Sequence, residues 1–325
     1  MLTFNPNFVW DASHVVIVNP QGRVLESLKG DLKPNPQLSL SDLKVSSEFT
    51  VDSQPYVVPD QIAKISSEKL LLLLDRRGSG FRLHGVHFGS FVEGSETISV
   101  AWFAHGKAYT TSQINNPGPV RVAPFGDEKT FRQRLVNILN TQKALRNATK
   151  TPLKKRAQAL ATFMKTHTHW KEIYQAREET LKALSRCGQS AITVFPALFR
   201  DESLGYSYND VARSFIEAVG IKSAPAFTAI VRQELVFWRK TALTIPVGTL
   251  NNAASKGYSH QQYQRLQTHY NRLQAALNGL RHFRYTPCKN AVTQTHALWL
   301  SLPQLEARRR GPIRASCETI LKRLG

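Results

Sequence analysis

Cysteine is scarce in this chain. Its 325 residues hold only Cys187, Cys288 and Cys317, which are odd in number, far apart and in no C-x-x-C pair. That excludes a disulfide framework and a redox pair, and it reads as reduced thiols of a cytosolic or nuclear protein. The Asn147-Ala148-Thr149 sequon then has no role, because glycosylation needs the secretory route. Long apolar runs are lacking as well. The longest aliphatic run is Leu70–Leu74, far short of the about 20 residues that span a bilayer. The stretch from Met1 to His14 has no basic segment leading into an apolar one. Neither secretion nor stable membrane insertion is therefore expected.

Acidic residues run short in the second half. Residues 1–125 hold 11 Lys and Arg against 11 Asp and Glu, whereas residues 126–325 hold 32 against 12, the whole of the net charge of +20. The last 75 residues hold 12 basic residues against Glu306 and Glu318 alone. A surface this cationic repels itself unless an anion is near, and nucleic acid, DNA or RNA, is the partner expected for such a chain. An anionic membrane surface is the second partner of that kind. It is recognised by helices with Lys and Arg on one face and Trp, Phe or Leu opposite. Here the charge spreads over 200 residues instead.

Catalytic signatures are missing too. There is no G-x-x-x-x-G-K-[ST], no H-E-x-x-H and no G-x-S-x-G, which removes the P-loop, zincin and nucleophile-elbow classes at motif level. A Mg²⁺ nuclease needs clustered carboxylates. The closest sets in the basic half, Asp127-Glu128, Glu178-Glu179 and Asp201-Glu202, lack that spacing. Among ten histidines, His84-x-x-His87 and His167-x-His169 have no further ligands at matched spacing. His269-Tyr-Asn-Arg272 has the H-x-x-R spacing of tyrosine recombinases. Those enzymes also need another arginine and a downstream tyrosine, and Tyr285 stands only 13 residues on. No catalytic residue, metal or cofactor is assigned.

What is present divides at about residue 125. The neutral part, 1–125, has strand and turn spacing. Val15–Val18 and Arg23–Leu25 flank the turn cluster Asn19-Pro-Gln-Gly22, and Lys33 to Asp42 reads as loop. Leu70–Leu74 and Phe81–Leu83 flank a turn containing Gly78 and Gly80. Ile98, Val100 and Trp102 alternate at period two, and Ala108–Ile114 returns after His105-Gly106. At least six strands are expected. Residues 76–91 interleave Arg76, Arg77 and Arg82 with Phe81, Phe88, Phe91 and four glycines. Single-strand binders use such mixtures, but a hairpin with core phenylalanines is the simpler reading.

The basic part, 126–325, has helical periodicity. Phe131, Leu135, Ile138, Leu139 and Leu145 form one stripe over 127–147. Thr151-Pro152 reads as an N-cap and first-turn proline, with Leu153, Ala157, Leu160 and Met164 inward. Trp170–Leu184 continues as helix. Two helices meet at Gly220, the second with Phe227, Ile230, Val231 and Leu235 inward. That is the outline of a helix-turn-helix, although Ala224, Pro225, Ala226 and Phe227 cannot read base edges. Tyr263, Leu266, Tyr270, Leu273, Leu277 and Leu280 give heptad spacing over Tyr258–Leu280. Arg308-Arg-Arg-Gly-Pro-Ile-Arg314 reads as a basic run ahead of a short helix with Ile320, Leu321 and Leu324.

The expected class is α+β, an N-terminal β-rich domain followed by a basic, mostly helical domain. The expected function is non-catalytic nucleic-acid binding within a nucleoprotein complex, cytoplasmic and nucleoid-associated or nuclear. Other protein subunits would dock on the β-rich half. A metal-dependent nuclease or recombinase, and a peripheral protein of anionic membranes, are the alternatives. Phosphate contacts are expected first from Arg265, Arg272, Arg308, Arg309, Arg310 and Arg314. Arg281 and Arg284 follow at the end of their helix, then Lys154, Lys155, Arg156, Arg239 and Lys240. Arg76, Arg77 and Arg82 are the contacts expected from the β-rich half. At 100° per residue Arg265 and Arg272 stand about 20° apart on one helix shoulder. Tyr285 and Trp238, beside basic residues, are candidates for stacking on bases, although core packing is the role favoured for Trp238.

Overall fold

A computed structural model describes residues 2–3, 6–43, 45, 47–51, 63–84, 100–113, 120–245, 259–301 and 307–325. The expected Phe88, Phe91, His87 and Ile98 lie outside those residues. The chain is α+β, with strands up to Asp127 and helices from Glu128 onward. It divides into two compact units, Met1–Lys143 and Ala144–Gly325.

The first unit carries strands β1 (Leu2–Thr3), β2 (His14–Val18), β3 (Val24–Lys29), β4 (Glu48–Val51), β5 (Ala63–Ser66), β6 (Lys69–Arg77), β7 (Gly80–Leu83), β8 (Val100–Ala104), β9 (Lys107–Gln113) and β10 (Val120–Asp127). They form one ten-stranded sheet in the order β3-β2-β6-β8-β9-β10-β4-β5, with β1 on β9 and β7 on β6. The β4–β10 pair is parallel, while its described neighbours pair antiparallel. The first hairpin turns where Asn19 Oδ1 accepts hydrogen bonds from the Gln21 and Arg23 amides at 3.1 and 2.8 Å. Gly22 closes that turn at φ +89°, and a Cβ there would stand 2.1 Å from the Leu38 carbonyl oxygen. Only glycine meets both conditions.

The unbroken Leu70–Leu74 run has a physical reason. Its strand is buried on both faces, which removes the period-two signal. Leu70, Leu72 and Leu74 join Val16, Val18, Val100, Trp102 and Tyr109 in one core. Val15, Ile17, Leu71, Leu73, Ala101 and Phe103 are buried as well. Helix α1 (Glu128–Lys150) supplies cover: its Phe131 ring meets Phe103 at 5.9 Å and Phe125 at 5.0 Å. Asp127 caps it, accepting from the Thr130 amide at 2.7 Å and the Lys129 amide at 3.2 Å.

The second unit holds α2 (Leu153–Thr166), α3 (Tyr174–Ser185), α4 (Ser190–Arg200), α5 (Tyr208–Val219), α6 (Ala224–Thr241), α7 (His260–Leu280), α8 (Lys289–Ser301) and α9 (Ala307–Leu324). Its centre is aromatic. Phe195 stacks on Phe215 at 3.7 Å, Phe227 meets Phe195 edge-on at 5.3 Å, and Trp238 meets Trp299 at 5.3 Å. The α7 stripe is buried as expected, from Leu266 through Tyr270, Leu273 and Leu277 to Leu280. Ser259 and Gln262 close a capping box at its start.

Two expectations are corrected. Thr151 does not cap α2: its hydroxyl donates to the Asn147 carbonyl at 3.2 Å. The Arg308–Arg314 run is not a connection but part of α9, with Pro312 inside the helix. An interior proline costs about 3 kcal/mol. Burial of Ile313, Cys317 and Ile320 along the same helix offsets it, at roughly 1.5–3 kcal/mol for each large aliphatic side chain. The helix-turn-helix outline is a core feature. Ala224, Phe227, Ile230, Val231, Leu235 and Trp238 of α6 are all buried, so α6 has no groove-reading face at its start. The stretch Tyr208–Thr244 passes as a membrane span by length and composition. It folds as two helices broken at Gly220, whose φ is +57°.

At Gly279 the α7 backbone packs directly on a side chain of α6. A Cβ there would stand 2.7 Å from the Phe227 ring, which is hemmed by Phe195, Phe199 and Phe215. Alanine would gain about 1 kcal/mol of helix propensity against about 1–3 kcal/mol of overpacking. Gly279→Ala is expected to lower the urea midpoint of the helical unit. An unchanged or raised midpoint would show that Phe227 has room to move.

Candidate nucleic-acid interface

The exposed cations are placed by helices whose opposite faces are buried. On α2, Leu160, Phe163 and Met164 face inward, leaving Lys154 and Lys155 exposed at its start. Arg156 is half-buried and donates from Nε to the Thr151 carbonyl at 3.1 Å, which ties it to the chain. On α6 and α7, Lys240 and Arg265 are exposed. Arg281 and Arg284 are exposed just beyond α7. Among the described residues, no acid lies within ion-pair distance of Lys154, Lys155, Lys240, Arg265, Arg281 or Arg284.

Other expected contacts are partly engaged. Arg239 is exposed and donates to Gln294 Oε1 at 2.9 Å. Arg314 is paired with Glu318, Nε to Oε1 2.6 Å, and His296 lies 3.4 Å from the same oxygen. The Arg314 hydrogen bond first, then that from His296, hold the Glu318 carboxyl below its ordinary value. Arg308, Arg309 and Arg310 fall in the opening turns of α9; their side chains lie outside the described part. In the β-rich unit, Arg76 bonds Asp31 and lies over the Phe81 ring at 5.5 Å. Arg82 stands 3.8 Å from Asp75, and Arg77 is exposed.

Arg272 is the correction that matters most. It does not share a surface with Arg265. It is 3% exposed and meets Glu234, which is 0% exposed. Arg272 Nη1 donates to Glu234 Oε1 at 3.1 Å, and His269 Nδ1 stands 2.7 Å from Oε2. Arg272 Nη2 donates to the Tyr208 hydroxyl at 3.1 Å and the Arg200 carbonyl at 3.3 Å. Tyr208 in turn donates to the Asp201 carbonyl at 2.7 Å. The Phe237 ring stacks on His269 at 3.4 Å. Burial opposes the charge on Arg272, but Tyr208 and Glu234 outweigh it and hold the guanidinium above its ordinary value. The H-x-x-R pair thus closes on a buried carboxylate and presents no open face to a phosphate.

Sequence reasoning missed Glu234. The signal was there: it falls three and four residues after Val231 and Ile230, on the apolar arc of α6. An acid on such an arc needs a buried partner. Trp238 is fully buried against Trp299, which is the core role favoured for it and leaves no face for a base. Tyr285 is half-buried.

Among the described residues, no three of His, Cys, Asp or Glu converge to hold a metal. The three thiols are buried. Burial pushes all three up, Cys317 to about 12. A thiol is inert unless it ionises and is reached. The native protein is therefore expected to show no fast-reacting thiol toward a disulfide reagent at mildly alkaline pH, and three once unfolded in urea. A fast native reaction would contradict the packing that buries these thiols.

No family model matches the chain, no curated protein matches its sequence significantly, and no solved structure matches its fold significantly.

Proposed function

We propose that this chain is a non-catalytic nucleic-acid-binding protein and one subunit of a nucleoprotein complex. In this reading the helical unit grips the phosphate backbone and the β-rich unit docks other protein subunits. It acts in the cytoplasm at the nucleoid, or in the nucleus. One observation carries the reading. Residues 144–325 hold 28 Lys and Arg against 10 Asp and Glu, a net of +18 within a folded helical body. Two of those acids, Glu234 and Glu318, are already engaged by arginines. Such an excess raises the potential around the whole unit and draws polyanions at high rate. Phosphate backbones supply the missing countercharge without base-specific chemistry.

An electrophoretic comparison of single-stranded DNA, double-stranded DNA and RNA at low and near-physiological salt tests it. Binding to at least one at low salt, weakened steeply at higher salt, is the expected result. No binding to any of them at low salt would overturn the reading. Vesicles of anionic lipid form a further arm. Co-sedimentation with vesicles in the absence of nucleic-acid binding would favour a membrane surface instead.

A further inference from the structure

The ends of α7 and α9 meet around a cleft of about 570 Å³ lined by Asn278, Arg281, His282, Thr319 and Arg323. All five belong to the helical unit. The volume falls in the ~300–1,000 Å³ range of small-ligand sites. Among the described residues, the lining holds two guanidinium groups, an imidazole, an amide and a hydroxyl, and no carboxylate. Glu318, next in the chain to Thr319, is engaged by Arg314 and His296. Arg323 is held in place, since its Nη1 donates to the Arg281 backbone carbonyl. Asn278 is held too, between Asn209 at 3.1 Å and the Ser316 hydroxyl at 3.1 Å.

Cations near a helix C-terminus have an ordinary role, because the dipole there amounts to roughly half a negative charge. Arg323 plays that role toward the end of α7. The dipole does not account for the rest. Two C-termini supply about one negative charge between them. Arg281 and Arg323 carry two positive charges, both exposed, in the lining of this one cleft. Among the described residues, the Arg281 guanidinium has no acidic partner. Like charges around one cleft are costly unless an anion joins them.

We propose that this cleft is a seat for one phosphate group of a nucleic-acid backbone, with Arg281 and Arg323 as its ligands. The proposal rests on the nucleic-acid reading above and names a place where the backbone is held. Paired guanidinium groups suit a phosphate diester because each offers forked donors to its non-bridging oxygens. Thr319 is a further donor at the rim. Its hydroxyl is now turned to the Ala315 carbonyl at 2.7 Å and can rotate to a phosphate oxygen.

Two measurements on the full chain test it. The first is arginine modification by phenylglyoxal, read residue by residue by mass spectrometry, with and without inorganic phosphate. Arg281 is expected to be protected by phosphate more than Arg265. The second is anisotropy of a labelled single-stranded oligonucleotide with the wild type and with Arg281→Gln/Arg323→Gln. The double variant is expected to bind roughly tenfold more weakly or worse, with a salt slope flatter by about 1 to 2. Equal protection of Arg281 and Arg265, together with an unchanged affinity and slope in the variant, overturns the cleft while leaving nucleic-acid binding standing. If the wild type binds no oligonucleotide, the functional reading falls, and the phosphate footprint alone decides whether the cleft holds phosphate.

Discussion

Replacing Glu234 by alanine is expected to destabilise the helical unit by about 3–5 kcal/mol, the cost of leaving a buried partner charge alone. Glu234 sits at 0% exposure and Arg272 at 3%. Removing the carboxylate strands the guanidinium, whose Nε already has no hydrogen-bond partner among the described residues. It also releases His269, which joins α7 to α6 through the same carboxylate. For a unit of this size that loss corresponds to a melting shift of about 10 °C or more. Thermal and urea unfolding by circular dichroism would measure it, with the two units read as separate transitions where they separate. Glu234→Met/Arg272→Met is expected to cost far less than either single change, because no charge is then buried unpaired. A Glu234→Ala loss below about 1 kcal/mol, a surface-pair value, would contradict the buried network.

The same network gives a sign for alkaline pH. Burial pushes the Tyr208 hydroxyl above its ordinary value of 10.0, despite the opposing pull of Arg272. A group that keeps its proton more tightly when folded contributes fully below its unfolded value, and that contribution is lost as pH rises through the folded one. The helical unit is therefore expected to weaken above about pH 10, and Tyr208→Phe to weaken less steeply there. An identical pH profile for the two proteins would count against burial as the cause.

Neutralising the free cations of the helical unit is the second large expected effect. Lys154, Lys155, Arg265, Arg281 and Arg284 are exposed with no described acid at ion-pair distance. Each phosphate contact releases about one counterion, so near 0.1 M salt each is worth somewhat under a factor of ten. Changing all five to glutamine is expected to weaken nucleic-acid binding by about a hundredfold, allowing for some that touch nothing. The fold should hold, since none of the five is buried. Changing Arg76, Arg77 and Arg82 in the β-rich unit is expected to shift affinity by no more than about twofold. Arg76 and Arg82 already have acids nearby, in Asp31 and Asp75. A large loss from that second set and none from the first would reverse the assigned roles of the two units.

Much of the fold was legible because apolar periodicity survives in the chain. The α7 stripe, the α1 stripe and the hairpins around Gly22 and Gly78 follow from spacing and turn chemistry alone. Helices α4 and α8 were not. Pro196 stands inside α4, and α8 buries only Ala291, Val292, Thr295 and Trp299, too few large residues to mark a stripe. Pro312 concealed the first half of α9 in the same way, while the half with Ile320, Leu321 and Leu324 was expected. The error over Arg272 has a different cause. A helical wheel gives azimuth and is blind to position along the axis. Arg265 and Arg272 share a shoulder, but seven residues further on α7 runs level with Glu234 of α6 and Tyr208 of α5. There the same azimuth is interior. Charge excess was fully legible, whereas the cleft between α7 and α9 was not. It depends on a packing of Arg281 against Arg323, 42 residues apart, that no local pattern encodes.

The most direct measurement is the salt dependence of binding. Anisotropy of a labelled oligonucleotide with the full chain, from about 50 to about 200 mM salt, gives the slope of log affinity against log salt. Several arginine–phosphate contacts made together imply a slope of about −4 or steeper. A slope near zero, or no binding at about 50 mM salt, would contradict a backbone-gripping helical unit.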